Sequence, residues 1–141
     1  MYDKKPTKED KLFFYGSLRK GDYNHASLEG KDPINFATLR GYKMHSLGAY
    51  PFIIESKDET DTIIGEIYSD LNPEQIEQID NMELGAGYHR ELVNVVDKEG
   101  NKHETIVYVY DSLDGWDKLP PHVENGDWLD FKSKNKQSLF G

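Results

Sequence analysis

The chain contains no cysteine. That excludes a disulfide framework, a thiolate nucleophile and a thiolate metal site, and it suits a reducing compartment. No apolar run approaches bilayer-spanning length, so no membrane association is expected. The opening Met1-Tyr-Asp-Lys-Lys-Pro-Thr-Lys-Glu-Asp is polar and charged and lacks the apolar core of a signal peptide. The expected location is therefore cytoplasmic. Positive charge is also scarce: 17 Lys and Arg face 26 Asp and Glu, a formal net charge of -9. Such a chain repels phosphate backbones, which argues against nucleic-acid binding, and Lys132, Lys134 and Lys136 are too few to reverse that. The histidines, His45, His89, His103 and His122 among them, have no close metal-ligand spacing, so no metal and no other cofactor is expected.

What is present suits one domain. A length of 141 residues is enough for a proper core, and no repeat or long linker divides it. The reading is a flexible lead-in over residues 1–10, a single domain over 11–131 and a flexible tail over 132–141, as a monomer. Residues 12–15 are apolar on both faces and read as a central, fully buried strand. Residues 22–29 read as a short helical turn. Residues 35–46 read as one long strand, 52–54 as a short one and 62–68 as another. Residues 72–84 form the best helix: Asn72 can cap it, Pro73 suits its first position and Gln75 completes a capping-box spacing. Strands over 88–96 and 103–110 follow, joined at Glu99-Gly100-Asn101. Residues 113–130 read as irregular. Six strands with few helices give an α+β fold, a small curled mixed β-sheet or barrel with a few short helices packed on it.

Two features carry chemistry. The first is the break after the apolar run, at Tyr15-Gly16-Ser17-Leu18-Arg19-Lys20-Gly21. A strand ending this way exposes backbone N–H groups at a fixed place, and Gly16 lets a ligand approach the main chain. The second is Glu83. At about 100° per residue, Ile76, Ile79 and Glu83 share one face of the helix, so Glu83 lies on the apolar stripe. Gln75, with Glu74, Glu77, Gln78 and Asn81, is assigned to the solvated sides. A carboxylate on an apolar face is partnered, protonated or lining a cavity. Arg90 or His89 are the partners that would make it a plain ion pair.

With both features in view, the chain resembles the gamma-glutamyl cyclotransferase-like family, and within it the gamma-glutamylamine cyclotransferase branch. The resemblance rests on Tyr15-Gly16-Ser17-Leu18-Arg19-Lys20-Gly21 with Asn24-His25, and on Ser46-Leu47-Gly48-Ala49-Tyr50-Pro51. It rests further on Ile64-Gly65-Glu66-Ile67-Tyr68, on Ile79-Asp80-Asn81-Met82-Glu83 with Tyr88-His89-Arg90, and on Asn125-Gly126-Asp127-Trp128. It implies a small closed sheet with one site at its mouth. It implies that Tyr15, Gly16, Ser17 and Leu18 hold a gamma-glutamyl group, with Tyr88 packed over the pocket, and that Glu83 is the general acid/base. The implied reaction releases an amine from a small gamma-glutamyl compound and closes the glutamyl part to 5-oxoproline, without a cofactor.

Other readings remain open at this stage. The same pocket in a non-catalytic module would hold a small ligand or a partner. Water attack on the amide would yield free glutamate instead. Ser17 as a hydrolase nucleophile lacks an elbow motif and an identifiable His/Asp partner. Asp80 belongs either to the site or to the surface. The 111–125 segment is a candidate lid that shapes substrate choice.

Overall fold

The computed structural model describes residues 2–28 and 30–140, and the side chains of all of these except 27 and 135–140. Seven strands form: β1 (Leu12–Phe14), β2 (Asn35–Arg40), β3 (Tyr42–Ser46), β4 (Pro51–Glu55), β5 (Thr62–Tyr68), β6 (Tyr88–Asp97) and β7 (Lys102–Tyr110). Two helices accompany them, α1 (Pro73–Gly85) and α2 (Trp128–Phe140), with a 3-10 turn at His25–Leu28. Five strands close a barrel in the order β1-β5-β2-β6-β7, while β3 and β4 make a separate two-stranded sheet. All pairings are antiparallel except the β1–β7 closure, which is parallel at Leu12 and Ile106. The sheet is thus mixed and closed, as its sequence implied.

The central strand is buried on both faces for a visible reason. Phe13 and Tyr15 join the interior cluster of Leu39, Ile63, Ile67, Val107 and Trp128. Leu12 and Phe14 point the other way, into a second cluster with Ile76 and Ile79 of α1 and Tyr88 and Tyr108 of the sheet. Helix α1 therefore packs outside the barrel, against the strand that ends at the 15–18 turn. Its start is fixed by the expected capping box: Asn72 accepts from the Glu74 N–H at 2.8 Å, and the Gln75 amide oxygen accepts from the Asn72 N–H at 3.3 Å.

Three readings of the sequence need correction. The long strand over 35–46 is two strands in different sheets, because Gly41 adopts φ +85° and turns the chain. Gln75 is buried, not solvated. From residue 128 the chain is helical through Phe140, where the reading had irregular structure and then a tail. Lys132 donates to Asp22 at 2.6 Å, so the start of that stretch is anchored to the body. The lead-in is held as well: the Tyr2 N–H donates to the Arg90 carbonyl at 2.7 Å, and Arg90 donates to the Asp3 carbonyl at 3.2 Å.

Gly126 holds the entry to α2 against the barrel. Its φ is +66°, and a Cβ there would lie 1.8 Å from the Thr62 carbonyl oxygen. Its own carbonyl accepts from the Ile64 N–H at 2.9 Å. Gly126→Ala is expected to destabilise the fold by about 3 kcal/mol or more, since the clash is with backbone and neither partner can yield. Urea unfolding followed by circular dichroism measures this, and an unchanged midpoint would refute it.

Candidate active site

Strand β1, the turn after it, α1 and β6 meet around a cavity of about 220 Å³. Tyr15, Gly16, Ser17, Leu18, Glu83 and Tyr88 all line it. The chain order hides this proximity, since Glu83 and the turn are far apart in sequence. They meet because α1 packs on β6 and shares a hydrophobic cluster with Leu12 and Phe14 of β1, which brings its last turn and the turn after β1 to one cavity. Phe13, Phe14 and Tyr108 complete the walls, and Tyr23, Asn24, Tyr50, Pro51, Met82 and Ala86 complete the lining. Of these, Asn24, Tyr50, Pro51 and Met82 fall in the motifs of the resemblance without being named as site residues, while Phe13, Phe14, Tyr23, Ala86 and Tyr108 were not singled out. Ala86 lies three residues beyond Glu83, on the same helical face, and that spacing was the available signal. None of residues 111–125 lines the cavity. Trp116 instead packs on Phe52 and Tyr110, with ring centroids 6.1 and 6.2 Å away.

The 15–18 turn is an arrangement of free donors. Its carbonyls are engaged: Gly16 accepts from the Arg19 N–H, Ser17 from the Asn24 N–H, each at 3.0 Å, and Leu18 lies 3.1 Å from His25 Nδ1. The N–H groups of Gly16, Ser17 and Leu18 have no acceptor among the described residues. Asn24 Nδ2 donates to Ser17 Oγ at 2.9 Å, which fixes that side chain. Among the described residues no His or Asp is hydrogen-bonded to the Ser17 hydroxyl, so they assemble no triad there. A Cβ on Gly16 would stand 2.9 Å from the Pro51 ring. Pro51 in turn presents its carbonyl to the Tyr88 hydroxyl at 2.8 Å. The small residue at position 16 thus keeps Pro51 and Tyr88 in place.

Glu83 is half-buried and makes no side-chain hydrogen bond or ion pair among the described residues. Burial, and then the nearby charge of Asp80, push its carboxyl up to about 7. Its position in the last turn of α1, at the negative end of the helix dipole, acts in the same direction. Neither suggested partner takes it. Arg90 grips Asp80 through Nε and Nη2, both at 2.6 Å. His89 lies between Glu91 at 2.7 Å and Asp111 at 2.8 Å. Asp80 is therefore buried structure, not surface, and it also accepts from the Tyr108 hydroxyl at 2.8 Å. The Tyr108 carbonyl accepts from the Tyr15 hydroxyl at 2.7 Å. One hydrogen-bonded line thus runs from Arg90 through Asp80 and Tyr108 to Tyr15, along the wall behind Glu83.

Among the described residues no Lys, Arg or His lines the cavity, and no cluster of His, Asp and Glu is arranged to hold a metal ion. No helix there is long and apolar enough to cross a membrane.

Fold and site together define a class: a small α+β barrel with a cavity where, among the described residues, a single acid and a turn with unpaired backbone amides come together. Comparison with known proteins narrows it. The family model described as gamma-glutamyl cyclotransferase, AIG2-like, matches residues 12–130, and the chain belongs to that family. It is similar to the gamma-glutamylcyclotransferase family protein YtfP of Escherichia coli O157:H7, at 29% identity over 122 residues, covering 85% of this chain and 96% of that one. It is also similar to AIG2-like protein B of Arabidopsis thaliana, at 33% identity over 119 residues, covering 83% of this chain and 64% of that one. Among solved structures, YkqA of Bacillus subtilis superposes with a TM-score of 0.72 at 24% identity, over 91% of this chain and 42% of that one. Protein PH0828 of Pyrococcus horikoshii gives 0.68 at 24% identity, over 92% and 98%. These two likenesses speak to the fold.

Proposed function

We propose that the protein is a gamma-glutamyl cyclotransferase in which Glu83 is the general acid/base and the 15–18 turn binds the glutamyl group. The observation that carries this is that one cavity is lined both by Glu83, whose carboxyl has no partner among the described residues and is raised to about 7, and by Gly16, Ser17 and Leu18, whose N–H groups have no acceptor among them. The substrate supplies its own nucleophile. Glu83 takes a proton from the substrate's α-ammonium, and the freed amine attacks the γ-carbonyl carbon. The carbonyl oxygen gains negative charge, which amide donors of the turn stabilise; one such donor is typically worth about 3 kcal/mol. The attacking nitrogen, once bonded to carbon, passes its second proton to the leaving nitrogen. The C–N bond to that nitrogen breaks with its electron pair staying on nitrogen, and Glu83 returns the first proton to it, so the amine departs as its ammonium ion. The ring that remains is 5-oxoproline. No cofactor enters this balance. Tyr88 and Leu18 close the sides of the cavity, so that the flexible glutamyl chain is held bent for attack.

The lining favours the amine branch of this chemistry. Among the described residues Glu83 is the only acid in the cavity and no cation lines it, so a carboxylate on the leaving group would meet no partner among them. Exposed Tyr23, Tyr50 and Met82 at the rim suit an apolar or cationic amine instead.

The test is a mass-spectrometric assay for 5-oxoproline with gamma-glutamyl amines, isopeptides and amino acids. Oxoproline from the amines is expected, with kcat/KM rising about tenfold per pH unit below 7 and levelling above it. The sign follows from the mechanism, because only the ionised Glu83 accepts a proton. Free glutamate as product would replace cyclisation with hydrolysis. A folded protein that binds these compounds and releases nothing would be a binding module.

A further inference from the structure

The proposed chemistry leaves one deeply buried carboxylate without a task. Glu66 on β5 is 1% exposed. It stands opposite Phe14 in the β1–β5 register, at the end of the strand that feeds the turn. Its oxygens accept three hydrogen bonds, from Arg19 Nε at 3.0 Å, the Lys20 backbone N–H at 2.8 Å and the Tyr68 hydroxyl at 2.9 Å. Two of these donors belong to the residues that follow Leu18. Arg19 is itself buried, and its Nη1 reaches Asp127 at 2.9 Å, just before α2. A few residues further along the same loop, Asp22 accepts from Trp128 Nε1 at 2.9 Å and from Lys132 at 2.6 Å.

A barrel does not need an ion there for stability. A buried pair of this kind is often replaceable by apolar side chains without loss. What these contacts do is fix the path of residues 19–22. The Arg19 N–H then closes on the Gly16 carbonyl and the Asn24 N–H on the Ser17 carbonyl, while the Gly16, Ser17 and Leu18 N–H groups have no acceptor among the described residues. Taking the cyclotransferase reading as given, we infer that Glu66, with Arg19 and Asp127, is a positioning clamp that sets the aim of the Gly16, Ser17 and Leu18 amides. Glu66 touches no substrate. It acts through the turn, as a rigid support for donors whose value depends on placement to within about an ångström.

Glu66→Gln tests this, because glutamine keeps the shape and one acceptor but loses the charge that holds Arg19. The expected result is a fall in kcat of about 10- to 100-fold with KM within about threefold, since misaimed donors weaken the transition state more than the ground state. The pH midpoint near 7 stays where it was, because Glu83 is untouched. A kcat within twofold of wild type overturns the clamp. So does a shifted pH midpoint, which would mean that Glu66 acts on Glu83. If Glu66→Gln does not fold, Asp127→Asn loosens the same clamp from its solvent side, with the same split expected at smaller size and the same outcomes overturning it. If wild type forms no 5-oxoproline, the cyclotransferase reading fails separately. The amide resonances of Gly16, Ser17 and Leu18, titrated with 5-oxoproline itself, then decide the clamp. Perturbation in wild type that weakens at least tenfold in Glu66→Gln upholds it; equal perturbation, or none in either protein, overturns it.

Discussion

Glu83→Gln is expected to lower kcat by about 100- to 10,000-fold and, at the same time, to make the protein more stable. The activity loss is the usual cost of removing a general acid/base from a reaction that needs proton transfer in both directions. Glutamine keeps the volume and the cavity, so KM for a gamma-glutamyl amine should change little. The stability gain follows from linkage. The Glu83 carboxyl ordinarily ionises near 4.5 and is pushed up to about 7 in the fold. The folded state therefore resists its ionisation while the unfolded state does not. Below pH 4 the group is neutral in both states and costs nothing. As pH rises from about 4.5 to 7 the unfolded chain loses its proton first, and stability falls. Above 7 the full penalty is present, about 1–3 kcal/mol after allowing for partial exposure. Glutamine never ionises, so Glu83→Gln should gain that amount at pH 8 and nothing at pH 4. Chemical denaturation at the two pH values measures it. A variant that is inactive but equally stable at both would mean that Glu83 is not strained, and the base would have to be sought elsewhere.

The double signature matters because it separates a functional carboxylate from a structural one. A structural acid with a partner loses stability when neutralised, as Asp80 would. Glu83 has no partner among the described residues, so the fold tolerates its charge without using it. That is a reasonable description of a group kept for chemistry.

The difference between these two acids shows what the sequence could and could not say. Glu83 was legible because helical periodicity alone places it with Ile76 and Ile79, and both of those are buried. The 15–18 turn was legible because an apolar run that stops at glycine must release its backbone somewhere. Asp80 was not legible. Its partner Arg90 lies on the strand after the helix, and only tertiary packing decides whether Arg90 meets Asp80, Glu83 or water. Gly41 misled for a related reason. The residues on both sides of it have strand character, and the corner depends on a positive φ that a glycine permits but does not demand. Gln75 looked solvated by type, yet its capping role draws it inward. Helix α2 was missed because Pro, Gly and Trp before it read as loop, and its anchor, Lys132 on Asp22, joins opposite ends of the chain.

Arg90→Leu should expose the second dependence. Burial pushes the Asp80 carboxyl up, but hydrogen bonds from Arg90 and Tyr108, with the Arg90 charge, outweigh it and hold the group below its ordinary value. Both partners are buried, at 7% and 2% exposure. Removing the cation leaves a carboxylate in an apolar wall with one hydroxyl for company, and breaking a buried pair this way typically costs about 3–5 kcal/mol. In wild type, the depressed carboxyl contributes stability that is fully present above its ordinary value of 3.8 and is lost as pH falls below it. In Arg90→Leu the sign reverses: burial now dominates, Asp80 resists ionisation, and the deficit is largest at neutral pH and shrinks toward pH 4. Catalysis should register the same change. Asp80 already raises Glu83 by its charge, and Arg90 is the cation paired with Asp80. Without it, either Asp80 stays ionised and drives the Glu83 midpoint above 7, or Asp80 takes up a proton and lets that midpoint fall. Asp80→Asn gives the second outcome by construction, so its profile is the reference. If the acid limb of kcat/KM keeps its midpoint in both variants, Asp80 and Glu83 are not coupled, and the wall from Arg90 to Tyr15 serves packing alone.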